Sequence, residues 1–150
     1  MSVIRENLVN ILDTLIINTR ITNSSLITED GLVIASNSEQ NKQDEEKSIN
    51  FAALSASILS MAERGIEIIN SNKILEQIKI DAGLNERLEA DFTILITRIF
   101  SNILIQVIFP KEINIGLVHF EINKTIKKIK TIIQDENARE MLFSSLGSLL

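Results

Sequence analysis

The chain has 150 residues, 45% of them hydrophobic and 23% charged, the composition of one globular domain and not of a disordered segment. Lys and Arg total 15 against 20 Asp and Glu, a formal charge of −5, which argues against nucleic acid as a partner because phosphate binding needs a basic face. Cysteine is absent and His119 is the single histidine, so thiol nucleophiles, disulfides, thiolate metal sites and two-histidine metal sites are excluded.

Val3 to Arg20 has helical spacing, with Ile4, Leu8, Ile11, Leu12, Leu15 and Ile16 on one face and Arg5, Glu6, Asn10 and Asp13 opposite. Those charges interrupt the first apolar segment, so it does not read as a secretory signal. Two short runs follow, Ser24 to Thr28 and Leu32 to Ser36, joined by Glu29-Asp30-Gly31. Asp-Gly between apolar runs predicts a hairpin, since glycine takes the positive φ of the turn at no steric cost. Asn37 to Lys47 is polar throughout and reads as a loop.

Ile49 to Ser71 reads as a long helix with an unusual amount of apolar surface. At about 100° per residue, Leu54, Ile58, Met61, Gly65 and Ile68 form one stripe and Ala52, Ala56, Leu59 and Ile66 a second. Phe51, Ser55, Ala62 and Ile69 lie between them. A surface helix normally buries a stripe a little over ~100° wide. Here the apolar arc approaches half the circumference, more than one sheet face can cover. Small residues in the second stripe permit close helix–helix approach, so that stripe is expected to meet a second chain. Glu63 stands at its edge, as a rim charge or as a contact to a basic residue across the boundary.

Three alternating segments predict three strands: Ile74 to Asp81, Phe92 to Phe100 and Ile103 to Phe109. Ser101-Asn102 suits a tight turn between the last two, and Ala82 to Asp91 gives no clear signal. Pro110 ends the last strand. From Lys111 to Gln134, Ile115, Val118, Ile122, Ile126, Ile129 and Ile133 recur at helical spacing, with Lys124, Lys127, Lys128 and Lys130 as a solvated opposite face. Met141, Leu142, Leu146 and Leu149 predict a short amphipathic tail helix. No apolar run approaches the ~20 residues of a membrane span, and the expectation is a cytoplasmic domain.

Short links between strands make the sheet antiparallel, and strands apolar on both sides call for helices on both faces. The expected class is α/β of the α+β type. It is a three-layer α/β/α arrangement of order αββαβββα plus a short C-terminal helix, with the middle helix on one face and the first and last long helices on the other.

Ser25 to Ala35 (SLITEDGLVIA), Ala52 to Leu59 (AALSASIL) and Asn114 to Val118 (NIGLV), in this order and with these elements between them, resemble the roadblock family, the dynein light-chain roadblock type. The resemblance runs from Ile4 to Gln134. It implies a roadblock-like domain over 1–134, a C-terminal helical extension over 135–150 and a sheet of five antiparallel strands. It also implies a dimer, of two identical chains or with a related roadblock-type subunit, in which the middle helices pack together and the third strands pair. The interface expected from it comprises Ala52, Ala56, Leu59, Glu63 and Ile66, with Ile74, Glu76, Ile78 and Ile80 from the strand. Family members regulate or scaffold small Ras-like GTPases, so the resemblance implies a non-catalytic interaction module for such a GTPase. The alternative is a structural subunit of a larger motor-like or membrane-associated complex with no GTPase contact.

The residue inventory gives chemistry little to work with. No phosphate-binding glycine loop and no nucleophile elbow is present. Asp44, Glu45 and Glu46 lack the alternating oxygen ligands and central glycine of a calcium loop. No enzyme activity, metal or cofactor is expected. Gly65 and Gly116 read as close-packing positions inside helices, since each costs ~1 kcal/mol relative to alanine.

Overall fold

The computed structural model describes residues 3–37, 42–83, 91–100 and 102–134. The expected tail helix, most of the Ala82–Asp91 linker and Ser101 of the expected turn lie outside these residues. The elements are α1 (Val3–Thr19), β1 (Asn23–Thr28), β2 (Val33–Ser36), α2 (Lys42–Ile69), β3 (Gln77–Ala82), β4 (Phe92–Phe100), β5 (Ile103–Pro110) and α3 (Ile115–Ile133). This is the order αββαβββα read from the sequence.

The five strands form one sheet of order β2-β1-β5-β4-β3, antiparallel throughout. The hairpin closes on the Asp-Gly signal. Gly31 has φ +88°, its N–H donates to the Thr28 carbonyl at 3.0 Å, and Leu32 N–H donates to the Thr28 hydroxyl at 3.1 Å. The central strand β5 shows why both faces need cover. Ile103, Ile105, Val107 and Phe109 point into the layer beneath α1 and α3, where they meet Leu8, Leu12, Leu15, Val118, Ile122 and Ile129. Leu104 points the other way, into a second cluster with Ile27, Ile94, Ile96 and, from α2, Ala52 and Leu59. One helix therefore covers one face and two cover the other.

Three boundaries differ from the sequence reading. α2 starts at Lys42 and not at Ile49. Lys, Gln and Glu are good helix formers, acidic residues are favoured in a first turn, and extending a nucleated helix needs no further burial. β3 starts at Gln77 and not at Ile74: the ladder continues one bond further, Arg98 N–H to Glu76 O at 2.8 Å, and the Leu75 carbonyl before it is taken by the Arg98 side-chain Nε at 2.8 Å. α3 waits for Asn114, whose side chain caps it by accepting from Gly116 N at 2.8 Å and Leu117 N at 3.3 Å. Gly116 thus serves the cap, and a Cβ there would crowd only Asn114 Oδ1.

Candidate functional site

The two apolar stripes of α2 have opposite fates. Ala52 (0% exposed) and Leu59 (3% exposed) lie in the core, with Phe51, Ala62 and Ile66 packed against the same cluster. The small residues serve the chain's own hairpin. A Cβ on Gly31 would stand 3.0 Å from Ala53 Cα, 3.3 Å from the Ala52 carbonyl oxygen and 3.3 Å from Ala56 Cβ, so glycine and alanine together let α2 descend onto the β1–β2 turn. Of the residues expected to meet a second chain, Ala52 and Leu59 are thus covered by their own chain, and Ala56 and Ile66 are covered in part. Small side chains admit any backbone, and the nearest one is intramolecular.

Glu63 is likewise committed within the chain. Its carboxylate takes Nη2 of Arg98, while Glu29 of the hairpin turn takes Nη1. With Nε on the Leu75 carbonyl, one guanidinium joins β4 to the turn, to α2 and to the approach of β3. The Arg98 side chain is only 7% exposed, and a buried cation survives only when paired and hydrogen-bonded. The sequence reading missed Arg98. Its signal is the lone charge inside the apolar run Phe92–Phe100, which requires acidic partners on that face of the sheet.

What α2 leaves uncovered is the other stripe. Leu54 is 59% exposed, Ile58 37%, Met61 72% and Ile68 87%. Gly65 lies in the same row, and a Cβ there would meet nothing within 4 Å, so the chain itself gives Gly65 no packing role. Ile69 and Ile74 continue the exposed apolar surface toward β3. β3 is an outer strand of the sheet, with Ile78 and Ile80 half-buried against the α2 cluster and Glu76 exposed. Single exposed apolar residues are ordinary, but a row on one helix face beside an open strand edge is a patch that marks an interaction surface.

The reverse face of β3 is polar, with Gln77, Lys79 and Asp81 on it. Thr93, the register partner of Asp81, donates its hydroxyl to Asp81 Oδ1 at 2.6 Å, and Lys79 Nζ lies 3.5 Å from Oδ2. The Thr93 hydrogen bond first, then the Lys79 and Lys111 charges, outweigh desolvation and hold the Asp81 carboxyl below its usual value.

His119 is half-buried on α3. Lys124 stacks over the Phe120 ring at 5.3 Å and Lys130 over Phe100 at 5.9 Å, while Lys127 and Lys128 face solvent. Among the described residues no helix is long and apolar enough to cross a membrane.

Among the described residues the fold is a three-layer α/β/α domain with an exposed apolar row on α2 beside the outer strand β3. Neither a family model nor a curated protein matches the sequence. Solved structures do match. MglB of Myxococcus xanthus aligns at TM-score 0.69 and 19% identity, over 85% of this chain and 95% of that one. A Roadblock/LC7 domain from Streptomyces avermitilis aligns at TM-score 0.68 and 14% identity, over 83% and 95%. An MglB with a tetrameric arrangement aligns at TM-score 0.72 and 15% identity, over 92% and 94%. The chain has the fold of a roadblock-type domain.

Proposed function

We propose that this chain is a non-catalytic interaction module that pairs with a second copy, or with a related roadblock-type subunit, through the exposed α2 stripe and the β3 edge. In that form it binds a small Ras-like GTPase of the cytoplasm and regulates or scaffolds it, the GTPase supplying the nucleotide site. The observation that carries the reading is the exposed row Leu54, Ile58, Met61 and Ile68 beside the outer strand β3. A second copy presents the same row, so the contact is self-complementary about a two-fold axis. Pairing of β3 with β3 gives partners to the edge N–H and C=O groups.

Gly65 supports the same surface. A mid-helix glycine costs ~1 kcal/mol relative to alanine, nothing within the chain needs it, and it lies where a second helix would approach closely. The tetrameric arrangement in which one MglB has been solved supports assembly as a habit of the fold. The GTPase half of the proposal rests on the roadblock resemblance. In this reading residues 1–134 are the pairing unit and 135–150 an extension.

The test is co-elution of the purified protein with Ras-like GTPases of its own cell, each loaded with GDP and with GTP. Binding that prefers one nucleotide form is expected. No binding to any of them and no change in their hydrolysis would remove the GTPase reading. Co-purification with an assembly that lacks GTPases would favour the scaffold role.

A further inference from the structure

The outer side of α3 carries a pattern that pairing through α2 does not use. At about 100° per residue, Leu117, Phe120, Lys124, Lys127, Lys128 and Thr131 share one arc, opposite the buried Val118, Ile122, Thr125, Ile129 and Ile133. All six are exposed, Leu117 at 43% and Phe120 at 59%. The arc is ordered along the helix. It is apolar toward the N-terminus and basic toward the C-terminus, and Lys124 Nζ stands 5.3 Å from the Phe120 ring centroid where the two parts join.

Residues 135–150 carry the same order in reverse. Leaving α3, the chain first presents Asp135, Glu136 and Glu140, with Arg139 among them, and then Met141, Leu142, Leu146 and Leu149 at helical spacing. A chain that turns back after Gln134 sets its carboxylates beside Lys127 and Lys128 and its leucines toward Phe120 and Leu117. The lengths agree. Phe120 lies ~21 Å along the helix from Gln134 at 1.5 Å per residue, and residues 135–150 reach ~24 Å as a helix and further where extended. The exposed row of α2 lies beyond the sheet, on the other side of the domain from α3. We infer that residues 135–150 fold back along α3 of their own chain and cover this face. The leucines lie on Phe120, Leu117 and the lysine stems, while the ammonium heads reach outward to the carboxylates. Exposed ion pairs are individually weak, so here they set the direction of the segment and apolar contact holds it. The α2 row and the β3 edge stay open for pairing.

The chain has no cysteine, so Ser148→Cys in the full chain takes a single nitroxide label, and amide NMR reads which signals the label broadens. Expected is loss of the Leu117–Lys124 signals in the labelled chain and their return when the nitroxide is reduced. In a mixture of labelled, unenriched chains with unlabelled, nitrogen-15-enriched chains those signals should persist. Loss in the mixture as well would assign the segment to α3 of a second copy. Loss centred on Leu54–Ile68 would assign it to the pairing row, and the absence of any local loss would leave the α3 face to an outside partner. Each of these would overturn the inference. Lys127→Glu with Lys128→Glu, at exposed positions, should restore the signals, and adding Glu136→Lys with Glu140→Lys should remove them again. Signals indifferent to both exchanges would refute the fold-back as argued. Circular dichroism and molar mass on the same samples report folding and pairing, so pairing and fold-back fail separately.

Discussion

Met61 and Leu59 sit two residues apart on one helix and should respond oppositely to the same substitution. Leu59 is 3% exposed and Met61 72% exposed. Leu59→Asp removes a buried side chain, a loss of about 2–5 kcal/mol in large-to-small substitutions, and puts a carboxylate in its place. Together these approach the whole stability of an ordinary domain, about 5–15 kcal/mol, so Leu59→Asp should be unfolded or insoluble. Met61→Asp changes an exposed position of the single chain and should alter its stability by little more than about 0.5 kcal/mol. In the proposed dimer it places one unpaired carboxylate from each copy in a dehydrated contact. At about 3 kcal/mol per uncompensated charge and two charges per self-complementary interface, association should weaken by roughly 6 kcal/mol, or about four decades in Kd. Light scattering across a concentration series, with circular dichroism to establish the fold, reads both effects. Expected is a folded monomer for Met61→Asp where the parent is a dimer. A Met61→Asp protein with the mass and concentration dependence of the parent would refute the assignment of this stripe, and a stable 16.8 kDa parent would refute pairing altogether.

Gly65→Ala should stabilise the isolated chain by about 0.5–1 kcal/mol while weakening self-association. If the thermal midpoint rises and the mass at each concentration is unchanged, Gly65 is not at the contact. Arg98→Met should cost about 2–3 kcal/mol in urea unfolding, below the full value for a broken buried pair because Glu29 and Glu63 keep 36% and 34% of their side-chain exposure. Arg98→Lys should recover only part, since an ammonium lacks the planar fork that reaches partners on three elements, and a loss under about 0.5 kcal/mol for Arg98→Met would contradict a role in joining those elements. Thr93→Val should raise the Asp81 carboxyl toward its ordinary value, as read by a carboxyl-carbon NMR titration. The Asp81 value is depressed in the folded state, so its contribution to stability is present above the unfolded pKa and is lost as pH falls through the folded one. Without Thr93 that contribution is smaller and disappears at higher pH, and an unmoved titration would show that the hydroxyl is not the cause.

The strands and the sidedness of the sheet were legible because each rests on a local pattern. β5 alternates two apolar sets, and each set found a helix layer. The fate of α2 was not legible in the same way. Periodicity shows how many faces of a helix are apolar, and α2 has two. Which one turns inward depends on a neighbour close enough to exploit alanine, here the turn that Gly31 holds at φ +88°. The small-residue stripe is equally suited to a second helix and to a hairpin, so spacing alone does not choose between them. The larger residues Leu54, Ile58, Met61 and Ile68 stay outside, so the excess of apolar surface is legible in the sequence while the stripe that carries it is not.

Polar residues inside apolar strands follow the same logic with a different outcome. Arg98 in β4 and Gln106 in β5 both face α2, as their contacts with Glu63 and Ser55 show. In an apolar strand each is a visible demand for partners, because burial without hydrogen bonds is unfavourable. The partners themselves come from elements remote in sequence and cannot be read from the strand. For Arg98 the fold meets the demand from the turn, from α2 and from the segment ahead of β3. For Gln106 it meets the side-chain carbonyl from α2, through the Ser55 hydroxyl at 3.2 Å. Both tie the sheet to α2, Arg98 through an ion pair with Glu63 and Gln106 through a neutral hydrogen bond with Ser55, so loss of the Arg98 contact, which leaves charges unpaired, should cost more than loss of the Gln106 contact.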